Sequence, residues 1–419
     1  MILRYNYISI DTSVESLQLR NSGLKHEHLT NSQYKGVFIN IVFLNQNFLV
    51  QKEVISVLRT TADVHLTVLD ITANPQIHQA ELAGKILLER KCTHVFTVNE
   101  WGIDSEGILN SIFQKNGILH INWCVDDPFF EETMHRKKFK ISEYRIDFVS
   151  DKDYLEKMTS RGYNAHFLPL GTDPAVFFPQ RESFIHEISF VGNSYLVQLD
   201  SFISQENEYM HSMVPFLAQI LREYKADNRF DLERAIEQQI ETIRLPPDLP
   251  HQKAVFLCKH FTGYLYRKEL VLTHINTYPD FVIYGDQGWL QFVDTSRLKK
   301  VSYGEGLRKV YNKTKINIDI NRPVIKNGFT QRVFDALGCN SFLLTSAKPI
   351  IEDFFETKGD KKELITFKNA EELIDLIKFY REHETERNQI AQRGYEKVIN
   401  NHTYYHRIKE LFFVLMTSR

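Results

Sequence analysis

The chain has 419 residues, 43% hydrophobic and 25% charged, and its 51 lysines and arginines nearly balance 53 aspartates and glutamates, for a formal net charge of −2. That balance, with a sequence pI near 6.8, gives no general affinity for nucleic acid, and no apolar run approaches the ~18 residues a membrane span needs. Mean hydropathy of −0.32 is that of a soluble globular protein, and the length exceeds one comfortable core, so two domains are expected.

Residues 1–32 have no assigned role; MILRYNYISI reads as a strand followed by a polar loop, without the small-residue cleavage site of a signal peptide. From Val37 the pattern is regular. VFINIVFL is a continuous apolar strand, and VHLTVLDI (64–71), HVFTV (94–98), ILHINWCV (118–125) and IDFVS (146–150) follow, with helix-length segments at 76–91 and 105–116 between them. Apolar runs without alternation, separated by helices, predict a parallel sheet covered on both faces. Asp151 to Arg161 reads as a helix, and Pro169, Gly171, Asp173, Pro174 and Pro179 mark a domain crossing over 171–185.

A second strand series begins at HEISFVGNSY (186–195) and continues through DFVIYGD (280–286), LKKVSY (298–303), INIDI, SFLLT and LITF (364–367). Residues 201–276 are helical, charge-rich and too long for a simple crossover, and read as a helical insertion. The periodicity beyond Ala370 is helical, and residues 401–419 hold a last helix expected to pack back on the first domain. The fold class expected is α/β: two doubly wound, Rossmann-like domains, 1–170 and 186–400, facing across a cleft. The four cysteines, Cys92, Cys124, Cys258 and Cys339, lack C-x-x-C spacing and read as reduced thiols of a cytoplasmic protein.

The most informative stretch is residues 316–347: a buried strand, a polar loop carrying Arg322, Lys326, Asn327 and Gly328, a helix over 329–338 and a second strand. Phe329, Val333 and Leu337 give the helix an apolar face and leave Arg332 and Asp335 side by side on another. An arginine in the first turn opposes the helix macrodipole, and arginine before aspartate is the poorer order for a local pair. An anion would justify it: unsatisfied N–H groups at the helix start, Lys326 before it and Arg332 one turn in would converge on one phosphate. Asp335 would then accept from a sugar or ribose hydroxyl. The plainer alternative is a surface arginine with an i,i+3 partner.

Elsewhere, Asp127 before Pro128 has the form of a helix N-cap with proline at N1, which leaves its neighbour Asp126 as the better site carboxylate, able to act as general base or to bind a sugar hydroxyl. Gly192 and Asn193 end one strand, and Tyr284 with Gly285 ends another, where backbone can approach a ligand; Tyr284 or Tyr303 would face a base unless each is a core or rim aromatic. His402 and His406 have metal-ligand spacing on a helix but no third ligand, so no metal is expected. There is no G-x-x-x-x-G-K-[ST], G-x-S-x-G or G-x-G-x-x-G.

Six segments in order, HINWCVDDPFF, DKDYLEKMTSRGYNAHFLPLGTDPAVF, ISFVGNSY, IYGDQGW, NGFTQRVFDALGCNSFLLTS and NHTYYHRI, resemble the CgeB-like (spore maturation protein) glycosyltransferases, related to the group 1 glycosyltransferases of GT-B fold. The resemblance runs from about residue 90 onward. It implies a donor-binding C-terminal domain and an acceptor-side N-terminal domain. Two glutamates eight positions apart hold the donor in group 1 relatives. Asn327 and Asp335 stand there in this chain, so the aspartate keeps the ribose role while Asn327 supplies no charge. Lys326 and Arg332 would neutralise the diphosphate without a metal or other cofactor, with Gly192 and Asn193 under the phosphates and Gly171, Thr172 and Asp173 at the crossing. The expected activity is transfer of a hexosyl unit from a nucleoside diphosphate sugar, UDP-linked by preference, to a hydroxyl of a polysaccharide or protein, with retention. The partners implied are that donor and acceptor, with no nucleic acid and no transmembrane segment; oligomeric state is left open. A nucleotide-sugar epimerase of the same fold and a catalytically silent nucleotide-sugar-binding protein are the alternatives.

Overall fold

The computed structural model describes residues 39–417, apart from 73–78, 90, 136–140, 181, 198–206, 228–229, 248 and 324. The expectations for residues 1–32 lie outside the described residues. Two compact units divide at Leu170/Gly171 and again at Thr403/Tyr404.

In the N-terminal unit the strands are β1 (Ile39–Asn45), β2 (Val64–Asp70), β3 (His94–Val98), β4 (Leu119–Cys124), β5 (Arg145–Val149) and β6 (Ala165–Phe167). They form one sheet in the order β2-β1-β3-β4-β5-β6, every neighbouring pair parallel. Helices α1 (Gln51–Thr60), α2 (Gln79–Leu88), α3 (Ile108–Lys115), α4 (Phe130–His135) and α5 (Lys152–Ser160) connect them. The central strands are buried along their length, which is why their sequences show runs rather than alternation. Asp151 starts α5 by accepting from the Asp153 N–H, and Asp127 accepts from the Phe129 N–H just ahead of α4.

One face of this sheet carries charge. Arg145 donates to Asp147 at 2.6 and 2.8 Å and to Glu100, and Asn122 bridges Asp147, Thr97 and the Glu100 N–H. A buried guanidinium is tolerable only with such partners.

In the C-terminal unit β7 (His186–Val191) is followed, among the described residues, by helices α6 (Asn207–Ala226), α7 (Leu232–Glu241) and α8 (His251–Thr277). Then come β8 (Phe281–Tyr284), β9 (Leu298–Lys299), α9 (Glu305–Asn312), β10 (Thr314–Asp319), α10 (Gln331–Gly338), β11 (Leu343–Ser346) and β12 (Ile365–Phe367). Helices α11 (Ala370–Glu382) and α12 (Glu384–Asn401) close this unit, and α13 (Tyr404–Thr417) belongs to the other, lying against α1. The second sheet is again six parallel strands, ordered β12-β11-β10-β7-β8-β9. The expected α/β architecture of two parallel-sheet domains is observed. Strand β9 is shorter than the expected 298–303, because Gly304 at φ 84° turns the chain into α9.

Glycines at the strand ends set how closely β7 and β8 approach. A Cβ on Gly285 would lie 2.5 Å from the Gly192 carbonyl oxygen and 2.8 Å from Trp289, which is buried and donates its indole N–H to that same oxygen at 2.9 Å. A Cβ on Gly192 would strike the Phe190 ring at 2.7 Å. These glycines serve backbone and ring contacts inside the protein.

Candidate functional site

Strand β10 ends in Asp319, which is fully buried. Its carboxylate accepts from Thr330 Oγ1 at 3.1 Å, Thr345 Oγ1 at 2.9 Å and Arg332 Nε at 2.6 Å. Thr330 is the residue before α10, but its hydroxyl is spent on Asp319, and no side chain caps the helix. The start of α10 therefore has no side-chain cap and carries the partial positive charge of a helix N-terminus. Arg332, one turn in, is held by Asp319 through Nε, so the far edge of its guanidinium is turned to other acceptors.

Two further arginines converge here. Arg267, in mid-α8 and 1% exposed, donates from Nη1 to the Asn193 carbonyl at 2.7 Å and from Nη2 to the Ile320 carbonyl at 2.6 Å, tying the ends of β7 and β10 together. Arg322, just beyond β10, donates to His260 Nε2 at 3.4 Å, and its stem lies 3.3 Å from where a Cβ on Gly263 would be. Lys348 fixes that loop by donating to the Arg322 carbonyl at 3.1 Å. The phenol ring of Tyr195 stands between two of them, its centroid 4.3 Å from Arg267 Cζ and 5.3 Å from Arg322 Cζ.

The electrostatics follow from this crowding. Burial, reinforced by the Arg332 and Arg322 charges, lowers Arg267 to about 10. Tyr195 is lowered despite its burial, because Arg267, Arg322 and Arg332 all favour the phenolate. Burial and the Arg322 charge bring His260 down to about 3, so its ring is neutral; Nδ1 donates to the Phe256 carbonyl and Nε2 accepts from Arg322. Three guanidiniums gathered about Tyr195, one of them paired with Asp319, beside the start of α10, form a site with a surplus of positive charge at the carboxyl ends of β7 and β10, the end where open α/β sheets bind ligands.

Several of the expected site residues have partners within the protein. Lys326 is drawn away from the helix start, donating to Asp231 at 2.6 Å with Glu233 at 3.9 Å. Arg332 pairs with Asp319 on β10 and not with Asp335, so it has a structural partner after all. Asp335 is fully buried, and its Oδ1 accepts from Thr172 Oγ1 at 2.9 Å and Gln331 Nε2 at 3.0 Å. Gly192 and Gly285 are filled from the protein side, as described above. Asn193 meets the site through its carbonyl, which is occupied by Arg267.

Gly171, Thr172 and Asp173 strap the crossing to α10: the Gly171 carbonyl accepts from Gln331 at 2.7 Å, the Thr172 N–H donates to the His402 carbonyl, and Asp173 caps its own turn at the Ala175 N–H. Tyr284 is a core residue whose hydroxyl meets His186 Nε2 at 2.9 Å, and Tyr303 packs edge-on against Phe177. Asn327 and Gly328 lie in the β10–α10 loop. His402 precedes α13 and is ringed by Phe334, Phe354 and Phe355, so it does not share a helix with His406; among the described residues no group of three or more His, Cys, Asp or Glu is placed to hold a metal ion. Asp126 belongs to the other unit, exposed at the end of β4, where Asn99 Nδ2 donates to it at 3.0 Å.

A family model described as "Glycosyl transferase-like" matches residues 267–412. Over these residues, about a third of its length, the chain is similar to that family. The matched segment begins at Arg267 and takes in Asp319, Arg322 and Arg332. No curated protein matches. Among solved structures, HepE of Anabaena in complex with UDP-glucose is similar over 90% of this chain and 100% of its own, at 8% identity and a TM-score of 0.51. Its complex with UDP and glucose gives the same score over 90% and 99%. Sucrose-phosphate synthase from Thermosynechococcus elongatus is similar over 91% of this chain and 100% of its own, at 10% identity and a TM-score of 0.48. The likeness to HepE shows a shared fold, two parallel-sheet α/β domains of the GT-B kind. No helix among the described residues is long and apolar enough to cross a membrane.

Arg267 is not among the residues the sequence singles out, because α8 reads there as part of an insertion. A signal was present: Arg267 interrupts the apolar stripe formed by Tyr264, Leu270 and Val271, all buried, and a charged residue in the middle of a buried stripe needs partners.

Proposed function

We propose that the chain is a glycosyltransferase of the CgeB-like branch, transferring a hexosyl group from a nucleoside diphosphate sugar to a hydroxyl on a polysaccharide or protein. The convergence of Arg267, Arg322 and Arg332 at the start of α10 carries this reading. In such a transfer the barrier is departure of the diphosphate from an oxocarbenium-like centre, and fixed positive charge where negative charge grows is the main catalytic device. The three guanidiniums supply that charge without a metal ion, Arg332 from the outer edge that Asp319 leaves open. Arg267 and Arg322 replace Lys326 in this role, since Lys326 is committed to Asp231. Uridine is the favoured base, because HepE of the same fold is found with UDP and UDP-glucose. Retention at the anomeric carbon rests on the resemblance to group 1 enzymes. Asp126 is the carboxylate assigned to the acceptor hydroxyl.

A panel of nucleoside diphosphate sugars, offered with EDTA present, tests the reading by thermal shift and by free nucleoside diphosphate. A donor at 100 times its Kd stabilises by about 2.7 kcal/mol, and slow hydrolysis by water should release its diphosphate. Conversion of the sugar with no diphosphate released would indicate an epimerase. Stabilisation with neither product would indicate a binding protein, and stabilisation by no donor would refute the assignment.

A further inference from the structure

Tyr195 has no part in the reading above, yet it occupies the middle of the arginine cluster. Its backbone is at φ 68°, the left-handed region that a bulky residue enters only when its surroundings hold it there. Those surroundings are visible. Asp286 Oδ1 accepts from the Ser194 N–H at 3.2 Å, Ser194 Oγ accepts from the Leu196 N–H at 3.1 Å, and Arg267 grips the Asn193 carbonyl. The turn is pinned on both sides of Tyr195, so the ring can leave only by rotating about its own side-chain bonds. The groups that face it are Arg267 from α8, Arg322 from the loop after β10, backed by neutral His260, and Arg332 from α10, whose charge Asp319 partly offsets.

We propose that Tyr195 is a resident anion surrogate: its phenol oxygen serves the arginines until a diphosphate arrives, and the ring then swings aside. The inference rests on the donor-binding reading and adds to it the group that the donor displaces. Burial lowers Arg267 first, and the neighbouring Arg332 and Arg322 charges lower it further, which Asp319 only partly offsets; an aromatic ring with a hydroxyl relieves this by cation–π contact and hydrogen bonding. Where the phenol is ionised in the unliganded protein, an arriving diphosphate takes over the guanidiniums, and Tyr195 recovers one proton from solvent. Binding and protonation are then coupled reciprocally. Above the lowered value of Tyr195, nucleoside diphosphate affinity should fall about tenfold per pH unit.

The test follows tyrosinate absorbance against pH for the full chain and for Tyr195→Phe, each alone, with inorganic pyrophosphate and with UDP, and measures binding of both ligands by calorimetry. The expected result is one tyrosine that titrates ahead of the rest, is missing in Tyr195→Phe, and moves upward when either ligand binds. Arg322→Gln, which keeps Tyr195, should by itself shift that tyrosine upward, so the proposal stays testable if Tyr195→Phe folds poorly. An early tyrosine that persists in Tyr195→Phe overturns the proposal, as does one that holds still under UDP or pyrophosphate bound to saturation. Pyrophosphate shifting Tyr195 while UDP does not bind would uphold the surrogate role and sink the nucleotide-sugar reading. Binding of neither ligand overturns both.

Discussion

His260 shows how the arginine cluster reaches into stability. Burial and the neighbouring Arg322 lower it from 6.5 to about 3, while the unfolded chain takes up its proton near 6.5. The folded state therefore excludes a proton that the unfolded state binds, and stability is complete above about pH 6.5 and declines as pH falls toward about 3. The decline owed to one such group is about 1.4 kcal/mol per pH unit. His120, buried in the other unit beside Arg145, contributes in the same direction. Denaturant melts between neutral and mildly acid pH should show a shallower loss in His260→Gln than in the wild type; identical slopes would remove His260 from the account. Little of this was legible in the sequence. Arg332 stood out because a first-turn arginine opposes the helix dipole, but Asp319, 13 residues earlier, became its partner only once β10 and α10 were side by side. Lys326 was misread for the same reason: Asp231, which holds it, lies 95 positions away.

At the scale of elements, strands and helices were legible because the parallel sheets bury both faces and so write continuous apolar runs. The tight β7–β8 contact was not, since a glycine at a strand end looks the same whether it receives a ligand or a neighbouring carbonyl. Gly285→Ala separates the two. Its methyl group would stand 2.5 Å from the Gly192 oxygen, against backbone that cannot yield cheaply, and it should destabilise the protein by about 1–3 kcal/mol, the usual cost of overpacking. Gly84→Ala within α2 is the control: nothing lies within 4 Å of its added Cβ, and a helix-interior Gly→Ala change should stabilise by about 0.5–1 kcal/mol. Equal stability of Gly285→Ala and wild type would mean that the strand ends are looser than described. Helix α8 is the element whose meaning changed most. Read as insertion, it instead supplies His260, Gly263 and Arg267 to the cluster.

For the whole molecule, the two parallel sheets and the α/β class followed from the alternation of apolar runs with helical segments. The site followed only in part. The strand, loop and helix over 316–347 hold Asp319, Arg322 and Arg332, whereas Arg267 comes from a segment 55 positions before Arg322, and no local pattern ties them together. The central claim is that this cluster receives the diphosphate of a nucleotide. Its most direct measurement is the affinity for UDP, by calorimetry, of the wild type, Arg332→Ala and Lys326→Ala, with each variant's unliganded melting temperature as the check on folding. A charge-assisted hydrogen bond contributes about 1.5–3 kcal/mol, so Arg332→Ala should weaken UDP binding at least about tenfold. Lys326→Ala, which breaks the half-exposed pair with Asp231, should change it by no more than a few-fold. Wild-type affinity in folded Arg332→Ala, or an equal loss in Lys326→Ala, would contradict the account.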